Sequence, residues 1–230
     1  MLEFELMTFV LHQSTETQPE IVETIQGEGV HTGVPSFFIR LQGCSVHCFF
    51  CDEKETWINR ENNSIEAETD EIIDQLEIMN SLLKRVVITG GEPTEQPVAK
   101  LIKALQAKSY EVAIETAGTG EYTQEILDNE DLFVTFSPKE IYSKSSSIQD
   151  QRIWSRADEL KFVIANQEAE QYLLQQVLPK LKAANNSCPI FLVPDWYNQE
   201  TTKEQVLVLC KQYPGHFRMG FQLHKQLGVY

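Results

Sequence analysis

The chain has 230 residues, 42% of them hydrophobic, and carries 19 basic against 34 acidic side chains, so 19 − 34 = −15. A field of that sign repels a phosphate backbone, no apolar run approaches the roughly 20 residues of a membrane span, and the opening MLEFELMTFVLHQ lacks a basic n-region. Nucleic-acid partners, a membrane helix and a secretory leader are therefore not expected, and the length suits one sizeable α/β domain in the cytoplasm.

Residues 1–20 read as an N-terminal extension, its end HQSTETQPE (12–20) a loop into a single domain over 21–230. Short runs rich in Val, Ile and Phe read as strands over Ser36–Leu41, Arg85–Thr89, Glu111–Glu115, Leu132–Ser137, Glu159–Ile164 and Pro189–Val193, with a weaker one over Arg218–Gln222. Helical stripes fill the gaps: Ile72, Ile73, Leu76 and Met79; Val98, Leu101, Ile102 and Leu105; Tyr172, Leu173, Val177 and Leu181. A last helix runs through Val206, Leu209 and Cys210, with Thr202 and Gln205 at a capping-box spacing. The polar stretch 142–152 (YSKSSSIQDQR) reads as a mobile surface loop. Alternating strands and helices predict a mostly parallel sheet that can curl into a partial barrel, with its site at the C-terminal strand ends. Cys44, Gly90–Glu92, Thr116–Gly118 and Ser137–Lys139 fall at those ends.

Of five cysteines, Cys188 and Cys210 stand alone in apolar stretches and read as buried small hydrophobes, while Cys44, Cys48 and Cys51 crowd into CSVHCFFC. Three thiolates on one loop can each hold one iron of a 4Fe–4S cube and leave the fourth iron open. Structural zinc wants four ligands, and no second Cys pair exists; His47, between two ligands, is awkwardly placed to be the fourth. A redox pair at Cys48 and Cys51 leaves Cys44 unexplained. Arg40 sits in the apolar strand FFIRLQ, where a charge needs a partner: either a structural ion pair or a clamp on a substrate carboxylate.

The loop, with Phe50 before its last Cys, and ITGGEP at 88–93 resemble the radical S-adenosylmethionine (SAM) superfamily. TIQGEGVHTGVPSFFIRLQGC (24–44), CDEKETW (51–57), IETAGT (114–119), SPK (137–139), DELKFV (158–163) and HKQLGVY (224–230) narrow the resemblance to the 7-carboxy-7-deazaguanine synthase family. It implies a shortened, irregular α/β partial barrel and a homodimer. It also implies ring contraction of 6-carboxy-5,6,7,8-tetrahydropterin to 7-carboxy-7-deazaguanine with loss of ammonia, as a step of queuosine and 7-deazapurine biosynthesis. The cofactors it implies are a 4Fe–4S cluster on Cys44, Cys48 and Cys51, SAM and Mg²⁺, with flavodoxin or ferredoxin as reductant.

By the same resemblance, Phe50, Cys51, Asp52, Gly91, Glu92, Thr116, Ser137, Pro138, Lys139 and the segment Val193, Pro194, Asp195, Trp196 face SAM, with Glu115 nearby. Ile25, Gln26, Gly27, Glu28, Arg40, Thr89, His224 and the terminal carboxylate of Tyr230 face the substrate. The sequence departs from the family pattern at Glu53, where a hydroxyl residue usually ligates magnesium, and the expectation is a weakened magnesium dependence. Val193 stands where relatives often carry Gln, and Leu223 where Thr is common. A glycyl-radical-enzyme activase, which shares the cysteine spacing, and a relative that binds without catalysis remain as alternatives.

Overall fold

The computed structural model describes residues 7–13, 21–58, 62–79, 82–142 and 147–229. Ten strands form one sheet among them: β1 (Thr8–His12), β2 (Ile21–Ile25), β3 (Pro35–Leu41), β4 (Ser64–Glu68), β5 (Arg85–Gly90), β6 (Glu111–Thr116), β7 (Phe133–Phe136), β8 (Glu159–Ile164), β9 (Ile190–Pro194) and β10 (Phe217–Met219). The helices are α1 (Thr69–Ile78), α2 (Ala99–Ala107), α3 (Thr123–Leu127), α4 (Ile153–Arg156), α5 (Gln167–Tyr172), α6 (Leu178–Ala183), α7 (Gln199–Gln212) and α8 (Leu223–Leu227), with a π-helical segment, Leu173–Val177, joining α5 to α6.

The order β3-β5-β6-β7-β8-β9-β10 is parallel throughout, the arrangement expected of strand–helix alternation. β2 pairs antiparallel with β3, and β1 lies antiparallel between β3 and the edge strand β4. The strand period of two sorts side chains between two faces. Phe37, Ile39 and Leu41 on β3 and Leu160, Phe162 and Ile164 on β8 join the large apolar core. Their neighbours Arg40, Lys161 and Val163 point the other way, into a cleft. The register Arg40↔Thr89 carries this alternation from β3 to β5, so polar groups from separate strands meet on one concave face.

Three expectations change. Residues 8–12, assigned to an extension, are a strand inside the sheet, with Phe9 and Leu11 fully buried. Thr202 and Gln205 do not cap α7: the helix already starts at Gln199, Thr202 donates back to the Asn198 carbonyl (2.9 Å), and Gln205 donates to Glu170 on α5 (2.6 Å). Of the polar stretch 142–152, residues 143–146 lie outside the described residues, and the rest is tied down. Tyr142 donates to the Val163 carbonyl, Ile148 is buried, and the Gln149 amide donates to the Gly118 carbonyl.

Candidate active site

The C-terminal ends of the parallel strands open on a cleft of about 240 Å³. The cysteine loop forms one wall. It is held by backbone: the Gly91 amide donates to the Leu41 carbonyl (2.8 Å), Glu92 to Gly43 (2.8 Å) and Gly43 to Thr56 (2.7 Å). Gly91 must be glycine, because a Cβ there would stand 1.7 Å from the Gly43 carbonyl oxygen, one residue before Cys44. All three thiols border the cleft, and burial raises each above an ordinary cysteine, Cys44 to about 12. Nearby backbone amides oppose that trend and favour the thiolate form: those of Val46 and His47 lower Cys44, that of Cys48 its own thiol, and that of Glu53 lowers Cys51. Among the described residues no three His, Cys, Asp or Glu side chains converge on a single ion.

The cleft floor is charged. Lys161, buried on β8, donates to Glu28 (2.7 Å) and pairs with Glu115 on β6 (2.9 Å). Gln26 donates its amide to the other Glu115 oxygen (3.0 Å), and Thr89 approaches the first (3.5 Å). Charge pairing inverts the effect of burial here: Glu115 is held below the usual carboxylate range, chiefly by Lys161, and Lys161 is pushed up by Glu115 and Glu28. Arg40 reaches Glu53 at 3.6 Å, so of its two readings the ion pair is present, while its position on the cleft wall leaves the clamp in place as well.

The C-terminal segment closes one side. Asp52 accepts from Gln222 (2.7 Å) and Lys225 (2.6 Å), and Lys225 also lies over Trp196, 4.7 Å from its ring centre. The Leu223 amide donates to the Gly27 carbonyl, and His224 packs on Gly27 so closely that a Cβ there would clash with its ring. Burial lowers His224, leaving it neutral near pH 7.

A family model described as the radical SAM superfamily matches residues 38–153. The 7-carboxy-7-deazaguanine synthase of Buchnera aphidicola subsp. Schizaphis graminum is 34% identical, across 91% of this chain and 97% of the relative. That of Escherichia coli K12 is 33% identical over the same shares. The chain belongs to the 7-carboxy-7-deazaguanine synthase family. Its fold agrees: the crystal structure of QueE from Escherichia coli superposes with a TM-score of 0.75 at 26% identity, covering 94% of this chain and 95% of that one.

As a member of this radical SAM family, the chain brings most of the expected site residues to one cleft. Its lining includes Ile25 to Glu28, Arg40, Thr89, Gly91, Thr116, Ser137, Lys139, Val193, Pro194, Trp196 and His224, beside Phe50, Asp52 and Glu53 on the cysteine loop. Pro138 and Asp195 are not part of the lining. Asp195 instead caps the turn after β9, accepting from the Tyr197 amide (3.1 Å) and the Asn198 side chain (2.6 Å). Glu92 borders the cleft, but its buried carboxylate accepts from the amides of Thr94 and Ala117 and the hydroxyls of Thr94 and Thr116. It knots the end of β5 to that of β6. Tyr230 lies outside the described residues.

Sequence reasoning gave no role to Lys161 or Trp57. Lys161 was detectable as a lone cation at the inward register of an apolar strand, ELKFVI. Glu115, set beside SAM by resemblance, belongs with Gln26 and Lys161 on the floor.

Proposed function

We propose that the protein is a radical SAM synthase that contracts 6-carboxy-5,6,7,8-tetrahydropterin to 7-carboxy-7-deazaguanine with loss of ammonia. The observation carrying this reading is that the three-thiol loop opens on the same small cleft as Arg40 and the Gln26–Glu28–Glu115 edge. Cys44, Cys48 and Cys51 would hold a 4Fe–4S cluster, which together with SAM supplies a 5′-deoxyadenosyl radical able to take a hydrogen atom from carbon.

The chain's own groups bind and orient. Gln26 and the carboxylates of Glu28 and Glu115 offer acceptors to the N–H edge of an aminopyrimidinone, and Thr89 borders the same edge. Arg40 supplies a guanidinium for the pterin carboxylate. Neutral His224 completes the wall without adding charge. On the SAM side, Ser137 donates to the Lys161 carbonyl and accepts from Lys139 at 2.7 Å, and the Lys139 ammonium lies 5.4 Å from the Phe50 ring centre. This places one cation beside the cysteine loop for a carboxylate.

Glu53 sits where a hydroxyl would hold magnesium, and its carboxylate faces Arg40. In this reading the internal ion pair takes over part of the cation's electrostatic role, and turnover depends weakly on added Mg²⁺. We further read the protein as a cytoplasmic homodimer reduced by flavodoxin or ferredoxin, as in the family resemblance.

The test is anaerobic reconstitution with iron and sulfide, then assay with SAM, reductant and 6-carboxytetrahydropterin. Cluster absorbance, 5′-deoxyadenosine and 7-carboxy-7-deazaguanine are the expected result. SAM cleavage without deazaguanine would reject the substrate, and absence of both cluster and cleavage would reject the radical chemistry.

A further inference from the structure

The cleft opens at the C-terminal strand ends, and a short turn, Gly29–His31, follows the Gln26–Glu28 edge toward the opposite end. The first residues of three parallel strands hold that turn. Arg85 of β5 donates to His31 Nδ1 (3.0 Å), Phe133 of β7 packs edge-on against the same ring (centres 4.5 Å apart), and Glu159 of β8 accepts from the Val30 amide (2.7 Å). The Val30 side chain is exposed, so the carboxylate, not packing, fixes this residue's backbone.

Glu159 is buried, and both of its oxygens are engaged. The one that does not face Val30 accepts from the Thr135 hydroxyl at 2.8 Å, which ties the carboxylate to β7. The turn is shaped around it. Gly29 has φ 71°, and a Cβ there would stand 2.2 Å from a Glu159 oxygen. The strand period of two puts Glu159 and Lys161 on the same face of β8, so the strand that anchors the turn at Val30 also pairs with Glu28, at 2.7 Å. Glu159 is not part of the cleft lining, whereas Gln26, Gly27 and Glu28 are. A carboxylate is costly to bury unless its hydrogen bonds are satisfied, and here one of them goes to a backbone amide two residues beyond Glu28.

We propose that Glu159 is a positioning residue for substrate recognition: held by Thr135, it fixes the Val30 amide and so the turn that presents Gln26 and Glu28 to the pterin. The inference rests on the reading of that edge as the substrate site. The property that matters is the reach of an acceptor to Val30 and not the negative charge, since Lys161 already pairs with Glu28 and Glu115. Two variants separate reach from charge. Glu159→Gln keeps the length, so its oxygen can accept from Val30 and its amide can donate to Thr135, and only the charge is lost. Glu159→Asp keeps the charge but is one methylene too short to serve Val30 and Thr135 together.

The test is binding of 6-carboxy-5,6,7,8-tetrahydropterin to the reconstituted enzyme with SAM and no reductant, read by calorimetry. Glu159→Asp should weaken binding about tenfold, as expected for loss of a hydrogen bond to a charged acceptor, and Glu159→Gln should stay within about threefold of wild type. Wild-type affinity in Glu159→Asp, or an equal loss in both variants, would overturn the proposal. A second measurement needs no variant. Coupling between the turn and the site is reciprocal, so saturating pterin should slow hydrogen exchange at the Val30 amide of the wild-type protein. Unchanged exchange at Val30 would overturn the proposal even if Glu159→Asp does not fold. A wild-type enzyme that takes up its cluster and does not bind the pterin would reject the proposed substrate instead.

Discussion

Lys161 shows how one side chain sets the chemistry of the cleft. Its ammonium lies between Glu28 and Glu115, with Glu159 on the same strand and Arg40 and His224 also close enough to act on the cluster of charges. Removing one partner of such a buried set costs about 3–5 kcal/mol, because the remaining carboxylates stay buried and uncompensated. Lys161→Met should therefore be destabilised by about that amount at pH 7.5. The pH dependence follows from the direction of each shift. Glu115 is lowered in the native protein, so its contribution is present above the unfolded carboxyl range and is lost only as pH falls through the folded value. Lys161 is raised, so its contribution is complete below the unfolded lysine value and is lost only at strongly alkaline pH. Between pH 7.5 and pH 5 the wild type should change little through this pair. In Lys161→Met the unpaired carboxylates rise and protonate on folding, so the variant gains stability as pH falls. Urea unfolding at both values should show the gap between the two proteins narrowing at pH 5, and a constant gap would contradict this account of the pair.

At the scale of elements, the parallel strands were legible because each is a short apolar run closed by a turn or glycine. ITGG and IETAG even mark the ends that carry the site. The antiparallel β1, β2 and β4 were not: SIEAE carries only Ile65 and Ala67 as apolar residues, IVETI is broken by Glu23 and Thr24, and β1 and β4 find each other across more than 50 residues. The cysteine loop was readable from spacing, whereas the floor was not, since Gln26, Glu115 and Lys161 meet only through strand register. The short helix α8 is a further case where sequence named His224 and Lys225 but not their attachment. Lys225 bridges Asp52 and Trp196, latching the C-terminal segment to the cysteine loop. Hydrogen bonds to a charged group are worth about 1.5–3 kcal/mol, and this one is partly screened by solvent, so Lys225→Met should cost the lower part of that range locally. Hydrogen exchange should then speed up over 222–229 with little change in the global melting temperature, and KM for the pterin should rise more than kcat falls. Unchanged exchange in that segment would show that α8 is held by other contacts.

For the molecule as a whole, β1 decides whether the first residues are dispensable. Set apart by resemblance, they contribute a strand between β3 and β4 whose Phe9 and Leu11 are fully buried. The strand also braces the site from behind. The Gln42 amide donates to the Val10 carbonyl (2.9 Å), Gln96 accepts from the Val10 amide and donates to the Val10 and Gln42 carbonyls, and His12 bonds the Gln42 side chain (2.8 Å). Gln42 in turn donates to the Glu55 carbonyl (2.9 Å), so the contacts of β1 reach both arms of the cysteine loop. Burying Phe9 and Leu11 is worth about 1.5–3 kcal/mol each, and deleting the strand also strips β4 of its partner. A chain lacking residues 1–13 should therefore lose more than the roughly 3–6 kcal/mol of those two side chains, at least about 10 °C in melting temperature for a protein of this size, and more than Phe9→Ala. Phe9→Ala, which keeps the strand and removes one side chain, should lose about 3–5 kcal/mol without abolishing cluster uptake, because the backbone contacts to Gln42 and Gln96 persist. The two variants separate packing from bracing. If the strand acts only through its apolar side chains, both should take up iron and sulfide equally once compared at the same fraction folded. If it also braces the loop, the truncated chain should hold less cluster per folded molecule than Phe9→Ala, which is the result the hydrogen-bond chain from Val10 through Gln42 to Glu55 requires.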